Sequence, residues 1–269
     1  FIQSQVLTDP EVDLPVSKVK KSKVKMSMKE SFKFLSSSPY IRDLATLVIA
    51  YGMSINIVEV AWKSKLKLAF PDPNAYSAFM GNFSTMTGIV TLIMMVAGRF
   101  VFSKFGWGVA ALITPVTLLT TGIGFFSLTL FPQFFAPITK SLGTTPLMLA
   151  VIIGAAQNIL SKGAKYSLFD PGKEMAYIPL DQESKTKGKA AIDVIGNPLG
   201  KSGGSFIQQI LIGFCGSLSA ATGYLGVILG IIIGVWLKAA RSLEIQFKAK
   251  NEEMEKAEWP LADYEKKET

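Results

Sequence analysis

The chain has 269 residues, 49% of them hydrophobic and 18% charged, with a mean hydropathy of +0.35, which is more apolar than a water-facing surface tolerates. Its formal charge of +8 suits nucleic acid, an anionic membrane surface or an anionic substrate, so the placement of the charges has to decide. The single cysteine, Cys215, excludes a disulfide framework and a cysteine metal cluster, and the absence of histidine removes His-based catalysis and His-metal sites.

Residues 1–38 are polar, with Lys18, Lys20, Lys21, Lys23, Lys25, Lys29 and Lys33 ahead of the first apolar stretch. They read as a solvated basic linker with a surface-lying amphipathic turn in MSMKESFKFL; binding of lipid headgroups is the alternative. Residue 1 is Phe, and no apolar core followed by a cleavage site comes after it, so the chain is expected to be truncated or processed. Six apolar stretches follow, at about 41–61, 79–98, 108–131, 145–161, 203–221 and 223–238, each approaching the ~20 residues that a bilayer core requires. They predict an all-α integral membrane fold, a six-transmembrane-helix bundle over residues 39–241. The tryptophan and lysines of WKSKLK, after the first stretch, suit an interfacial anchor. Pro115, Gly122 and Gly124 fall inside the third, where neighbouring helices can satisfy freed backbone groups, and the small residues of the fifth and sixth let helices approach closely. The polar tail, 242–269, reads as a solvated helix with a disordered end.

An even number of spans puts both termini on one side. That side holds the N-terminal lysines, Arg99, Lys104, the lysine-rich 161–202 connection and Lys238, Arg241, Lys248 and Lys250, against Lys63, Lys65, Lys67 and Lys140 opposite. The asymmetry favours both termini on the cytoplasm-equivalent face. Because the lysines flank spans instead of forming one aromatic-interleaved surface, a nucleic-acid partner is not expected.

Ionisable residues inside spans are costly and mark function unless they find a partner. In YGMSINIVEVAWKSK, Asn56, Glu59 and Lys63 share one helical face. Either Glu59 pairs with Lys63 to finish the helix, or it is a carboxylate lining a cavity. GNPLGKS resembles a phosphate-binding loop, but only three residues separate Gly196 from Gly200 and no strand precedes them. Pro198 instead suits a helix start, placing Lys201 in or near the first turn, where the dipole disfavours a cation unless an anion compensates. With exposed N–H groups at the same end, this is an anion-docking point; snorkelling of Lys201 to the interface is the alternative. Lys162, Lys165, Tyr166, Lys173 and Lys185 in the connecting segment could funnel a polyanion, although topology alone also predicts a positive loop there. No metal-ligand cluster or nucleophile with a base stands out, so neither an enzyme nor a cofactor is expected.

Three segments, SINIVEVAWKSKLK, KGAKYSLFDPGKEMAYIPLD and GKAAIDVIGNPLGKSGGS, closely resemble the ATP/ADP antiporter family of plastids and obligate intracellular bacteria. The resemblance runs from about Tyr40 to Arg241 and covers the C-terminal half of the family's pattern. It implies one half of a twelve-span fold of the major facilitator type. It also implies counter-exchange of ATP for ADP across a lipid bilayer, with phosphate as a candidate accompanying ion. The family's membrane-embedded charges needed for transport correspond to Glu59 and Lys201, and neither has an evident partner within this chain. An N-terminal transporter half must then come from the same or a separate chain. The alternative is a non-transporting half acting as a structural subunit of a larger membrane complex, for instance a photosynthetic one. The expected location is the plastid inner envelope or another plastid membrane, or else a bacterial inner membrane.

Overall fold

The computed structural model describes residues 26–265, with side chains as far as Lys256. The lysines from Lys18 to Lys25, on which the headgroup-binding alternative rests, lie outside those residues, as do residues 266–269 at the end of the tail. Among the described residues all regular structure is helical.

Helix α1 (Met28–Ser37) begins at a capping box, in which the Ser27 hydroxyl accepts the Glu30 N–H while the Glu30 carboxylate accepts the Ser27 N–H at 2.8 Å. It buries Ser31 and Leu35, leaving Met28 and Phe32 exposed. Helix α2 (Pro39–Ala69) starts on a Ser38 cap with Pro39 in its first turn, and runs a further two turns beyond the end expected at residue 61. Trp62, expected at the membrane interface, is instead fully buried. Its indole N–H donates to the Val151 carbonyl at 2.9 Å, and it fills the space left by Gly154, where a Cβ would collide with the indole. With its ring in that gap and its N–H satisfied by a carbonyl, Trp62 presents no surface to a headgroup layer.

Helix α3 (Pro73–Leu130) is 58 residues long and takes in both the second and the third expected spans without an intervening loop. It is broken at Gly106, whose φ of 77° suits glycine alone at little cost. After the short α4 (Pro132–Ser141) comes α5 (Pro146–Ala164), a π-helical turn (Lys165–Phe169) and α6 (Asp170–Met175), so the fourth span extends well past residue 161. Helix α7 (Gln182–Ala191), a second π turn (Ile192–Gly196) and α8 (Asn197–Cys215) likewise follow one another, ending at the left-handed Gly216. Helix α9 (Leu218–Glu265) carries the sixth apolar stretch and continues through the tail.

Among the described residues, four helical segments are long and apolar enough to cross a membrane: Pro39–Ala69, Pro73–Leu130, Pro146–Met175 and Leu218–Lys256. The difference from six expected spans has two sources. Two stretches share α3, and the fifth, expected at 203–221, is preceded in the same continuous helix by the polar NPLGKSGGS and ends at Gly216.

Helix α2 is central, packing on α5, α8 and α9. Gly52 and Gly200 let α2 and α8 meet backbone to backbone, as a Cβ on Gly52 would lie 2.6 Å from the Gly200 carbonyl carbon. Asp43 ties α2 to α9 by accepting the Ser242 hydroxyl at 2.6 Å and the Gln246 amide at 2.9 Å. Leu92, Ile93 and Val96 of α3 and Val227, Ile231 and Val235 of α9 are exposed.

Candidate functional site

Pro171 and Pro198 both lie within helical segments. Each lacks an N–H, and its ring crowds the carbonyl four residues back. Each also follows a π turn that widens the helix ahead of it, with the Asp170 N–H reaching the Lys165 carbonyl and the Asn197 N–H reaching the Ile192 carbonyl. The two segments are related in sequence, Asp170-Pro171-Gly172-Lys173 and Asn197-Pro198-Leu199-Gly200-Lys201. Both deliver their charged and amide side chains to the same cavity.

This geometry corrects one expectation about Lys201. Gly196 has helical backbone angles, φ −62° and ψ −51°, so no helix begins at Pro198 and no free N-terminal N–H groups gather there. Lys201 stands on the side of a continuous helix, and the dipole does not contribute to anion docking.

The cavity has a volume of about 500 Å³ and lies between α2, the α5–α6 segment and α8, within the size range of small-molecule sites. From α2 it takes Val48, Tyr51, Gly52, Ile55, Asn56 and Glu59; from α5, the first π turn and α6 it takes Lys162, Lys165, Tyr166, Phe169, Asp170 and Lys173; and from α8 it takes Asn197, Gly200 and Lys201. Seven residues singled out from sequence, Asn56, Glu59, Lys162, Lys165, Tyr166, Lys173 and Lys201, are thus brought to one wall although up to 145 positions separate them. Lys63 is not on that wall. It pairs with Glu59 at 2.8 Å, so Glu59 both lines the cavity and has a partner, contrary to the expectation that it had none. Lys185, on α7, does not line the cavity.

Four lysines (Lys162, Lys165, Lys173, Lys201) face two carboxylates (Glu59, Asp170). Lys165 binds Asp170 at 2.6 Å, and Lys173 lies 3.8 Å from Glu174, outside the cavity. Lys162 and Lys201 have no carboxylate within ion-pair distance among the described residues; Lys162 sits 5.2 Å over the Phe83 ring. The wall therefore carries positive charge in excess, and two of its cations, Lys162 and Lys201, have no carboxylate partner among the described residues. Asn56 is held rigidly, its side-chain oxygen accepting from Ser205 at 3.1 Å and from Gln208 at 2.8 Å across the α2–α8 contact. Behind the charges, Tyr51 stacks on Phe169 at 4.6 Å and both meet the edge of Trp236.

The model of the TLC ATP/ADP transporter family matches residues 1–247. This chain belongs to that family. It is 64% identical over 248 residues to ADP,ATP carrier protein 1, chloroplastic, of Arabidopsis thaliana, covering 91% of this chain and 40% of that protein. Similarity extends to ADP,ATP carrier protein 1 of Chlamydia trachomatis, 57% identical over 93% of this chain and 48% of the relative. For ADP,ATP carrier protein 1 of Rickettsia bellii the identity is 44%, over 92% and 51%. The chain therefore spans about half the length, or less, of the curated relatives it matches. No solved structure matches it.

Sequence reasoning missed Asp170 and Asn197 as cavity residues. Their signal was the paired Asp/Asn-Pro segments each followed by a lysine, which could have marked two related turns aimed at one place. Hydropathy and 3.6-residue periodicity do not reveal π turns, and it is the π turns that position these side chains.

Proposed function

We propose that this chain is the C-terminal half of an ATP/ADP exchanger and that the lysine-lined cavity is its share of the nucleotide site. The observation that carries the reading is the excess positive charge on one wall inside an otherwise apolar bundle. Lys162 and Lys201 without carboxylate partners would be costly at membrane depth unless an anion completes them, and a polyphosphate does so with charge-assisted hydrogen bonds. The relatives' names, ADP,ATP carrier proteins, support a nucleotide polyphosphate as that anion. Glu59, held by Lys63, lends negative charge that a passing phosphate must compete with, and Asn56 supplies a fixed polar edge.

The helices make six spans in this reading, with α3 contributing one on each side of Gly106, as in one half of a major-facilitator-type transporter. An N-terminal half faces the cavity and closes it, and alternating access follows from the two halves rocking about the site. Phosphate is a candidate co-ion because the same lysines would hold it. A plastid membrane is the proposed location, supported by the chloroplastic relatives at higher identity than the bacterial ones. A purely structural subunit of a larger complex has no use for uncompensated lysines in a cavity, and that alternative is not favoured.

The test is exchange in liposomes. Full-length protein in vesicles loaded with ADP should take up labelled ATP, and uptake that ignores internal ADP contradicts the proposal.

A further inference from the structure

In a regular α-helix, residues five apart point roughly 140° away from each other. Lys165 and Asp170 are five apart, yet the lysine Nζ lies 2.6 Å from an Asp170 carboxylate oxygen. The π turn makes this pairing possible, because the bond from the Asp170 N–H to the Lys165 carbonyl brings both residues onto one face. Both side chains line the cavity and remain about a third exposed, 32% and 33%. A substrate can therefore reach the pair, which is not a strut sealed in the core.

The other cavity carboxylate, Glu59, is matched by Lys63, a residue off the cavity wall. Asp170 differs in that it occupies a lysine of the wall itself. A polyphosphate drawn to Lys162 and Lys201 brings further oxygens to the same wall, where they compete with the Asp170 carboxylate for Lys165. Like charges cannot share that ammonium cheaply in a partly desolvated site.

We propose that Asp170 is an internal counter-ion that occupies Lys165 while the cavity is empty and yields it to substrate phosphate, so that it holds nucleotide affinity down and allows release. Nucleotide binding then includes the cost of opening the Lys165–Asp170 pair, and dissociation recovers it. Asp170 is a positioning residue in this scheme, acting through Lys165. The inference rests on the reading of the cavity as a nucleotide site.

The test compares binding of labelled ADP to purified full-length protein and its variants, together with inhibition of that binding by inorganic phosphate. Asp170→Asn should bind ADP roughly fivefold more tightly, the factor that corresponds to ~1 kcal/mol for a partly exposed pair, and should be inhibited by correspondingly less phosphate. Asp170→Glu, which keeps the charge, should restore the weaker binding. A role in folding alone would lower the melting temperature and affinity together and would not sharpen sensitivity to phosphate. Should Asp170→Asn fail to fold, Asp170→Ser replaces it as the uncharged variant, and in a Lys165→Gln background either change should leave ADP affinity unaltered, because Asp170 acts through Lys165. Equal or weaker binding by the uncharged Asp170 variant when Lys165 is present, or a gain that persists when Lys165 is replaced, overturns the proposal. Wild-type protein that does not bind ADP would instead overturn the nucleotide-site reading.

Discussion

Replacing Gly52 by alanine should be far more damaging than replacing Gly200, although the two glycines touch each other. A Cβ built on Gly52 lies 2.6 Å from the Gly200 carbonyl carbon and 2.7 Å from its Cα and oxygen. Carbon atoms rest at about 3.5 Å or more, and a helix backbone cannot rotate aside as a side chain can. Helix α8 would have to retreat by about 1 Å. In the reverse case a Cβ on Gly200 meets the Val48 carbonyl oxygen at 3.1 Å and the Gly52 Cα at 3.5 Å, a contact that small adjustments relieve. Overpacking costs about 1–3 kcal/mol; Gly52→Ala belongs at the upper end. Gly200→Ala belongs near zero, its crowding offset by the ~1 kcal/mol advantage of alanine over glycine in a helix. Because α8 carries Asn197 and Lys201 while α2 carries Asn56 and Glu59, a retreat of α8 also spreads the cavity wall, so ADP affinity should fall with stability. Thermal unfolding and labelled-ADP binding of the full-length variants measure both. Equal losses for the two alanines, or a harmless Gly52→Ala, would refute the backbone contact as the device that sets the distance between the cavity's walls.

Trp62→Phe removes a buried indole donor and part of the volume that fills the Gly154 gap, so it should cost about 1–3 kcal/mol. As Trp62 is off the cavity wall, the melting temperature should drop without weaker ADP binding; an unchanged melting temperature would return Trp62 to an interfacial role. Asp181 caps α7 by accepting the Ser184 N–H at 2.9 Å, which holds its carboxyl below its ordinary value of 3.8. A carboxylate depressed in the folded state stabilises above its unfolded pKa and loses that contribution as pH falls through the folded one. Asp181→Ala should therefore lower the melting temperature at neutral pH, and the gap should close on acidification from about pH 5 toward about pH 2. A gap independent of pH would show that the charge is not what caps the helix.

Apolar runs were enough to locate the long helices, the cost of charge at membrane depth was enough to single out Glu59 and Lys201, and helical spacing added Asn56. Boundaries were less legible. The second and third apolar stretches meet at Gly106 in a kink with no loop between them, which hydropathy does not tell from a short loop, and Trp62 resembles an anchor in any window that cannot see Val151 and Gly154 across the bundle. Pro198 looks like a helix start because proline usually is one; only the preceding π turn, a tertiary accommodation, carries the helix through it. The same holds for Asp170, which at a spacing of five would point away from Lys165 on an α-helix and so escapes any periodicity search.

The central claim is that this wall binds the nucleotide's phosphates, and removing its two lysines without carboxylate partners tests it most directly. Labelled-ADP binding to full-length Lys162→Gln, Lys201→Gln should weaken by more than about a hundredfold relative to wild type, since two charge-assisted hydrogen bonds at about 1.5–3 kcal/mol each are lost. The off-wall control Lys185→Gln should bind as wild type does. Unchanged ADP affinity in the double variant, with the protein still folded, would contradict the account.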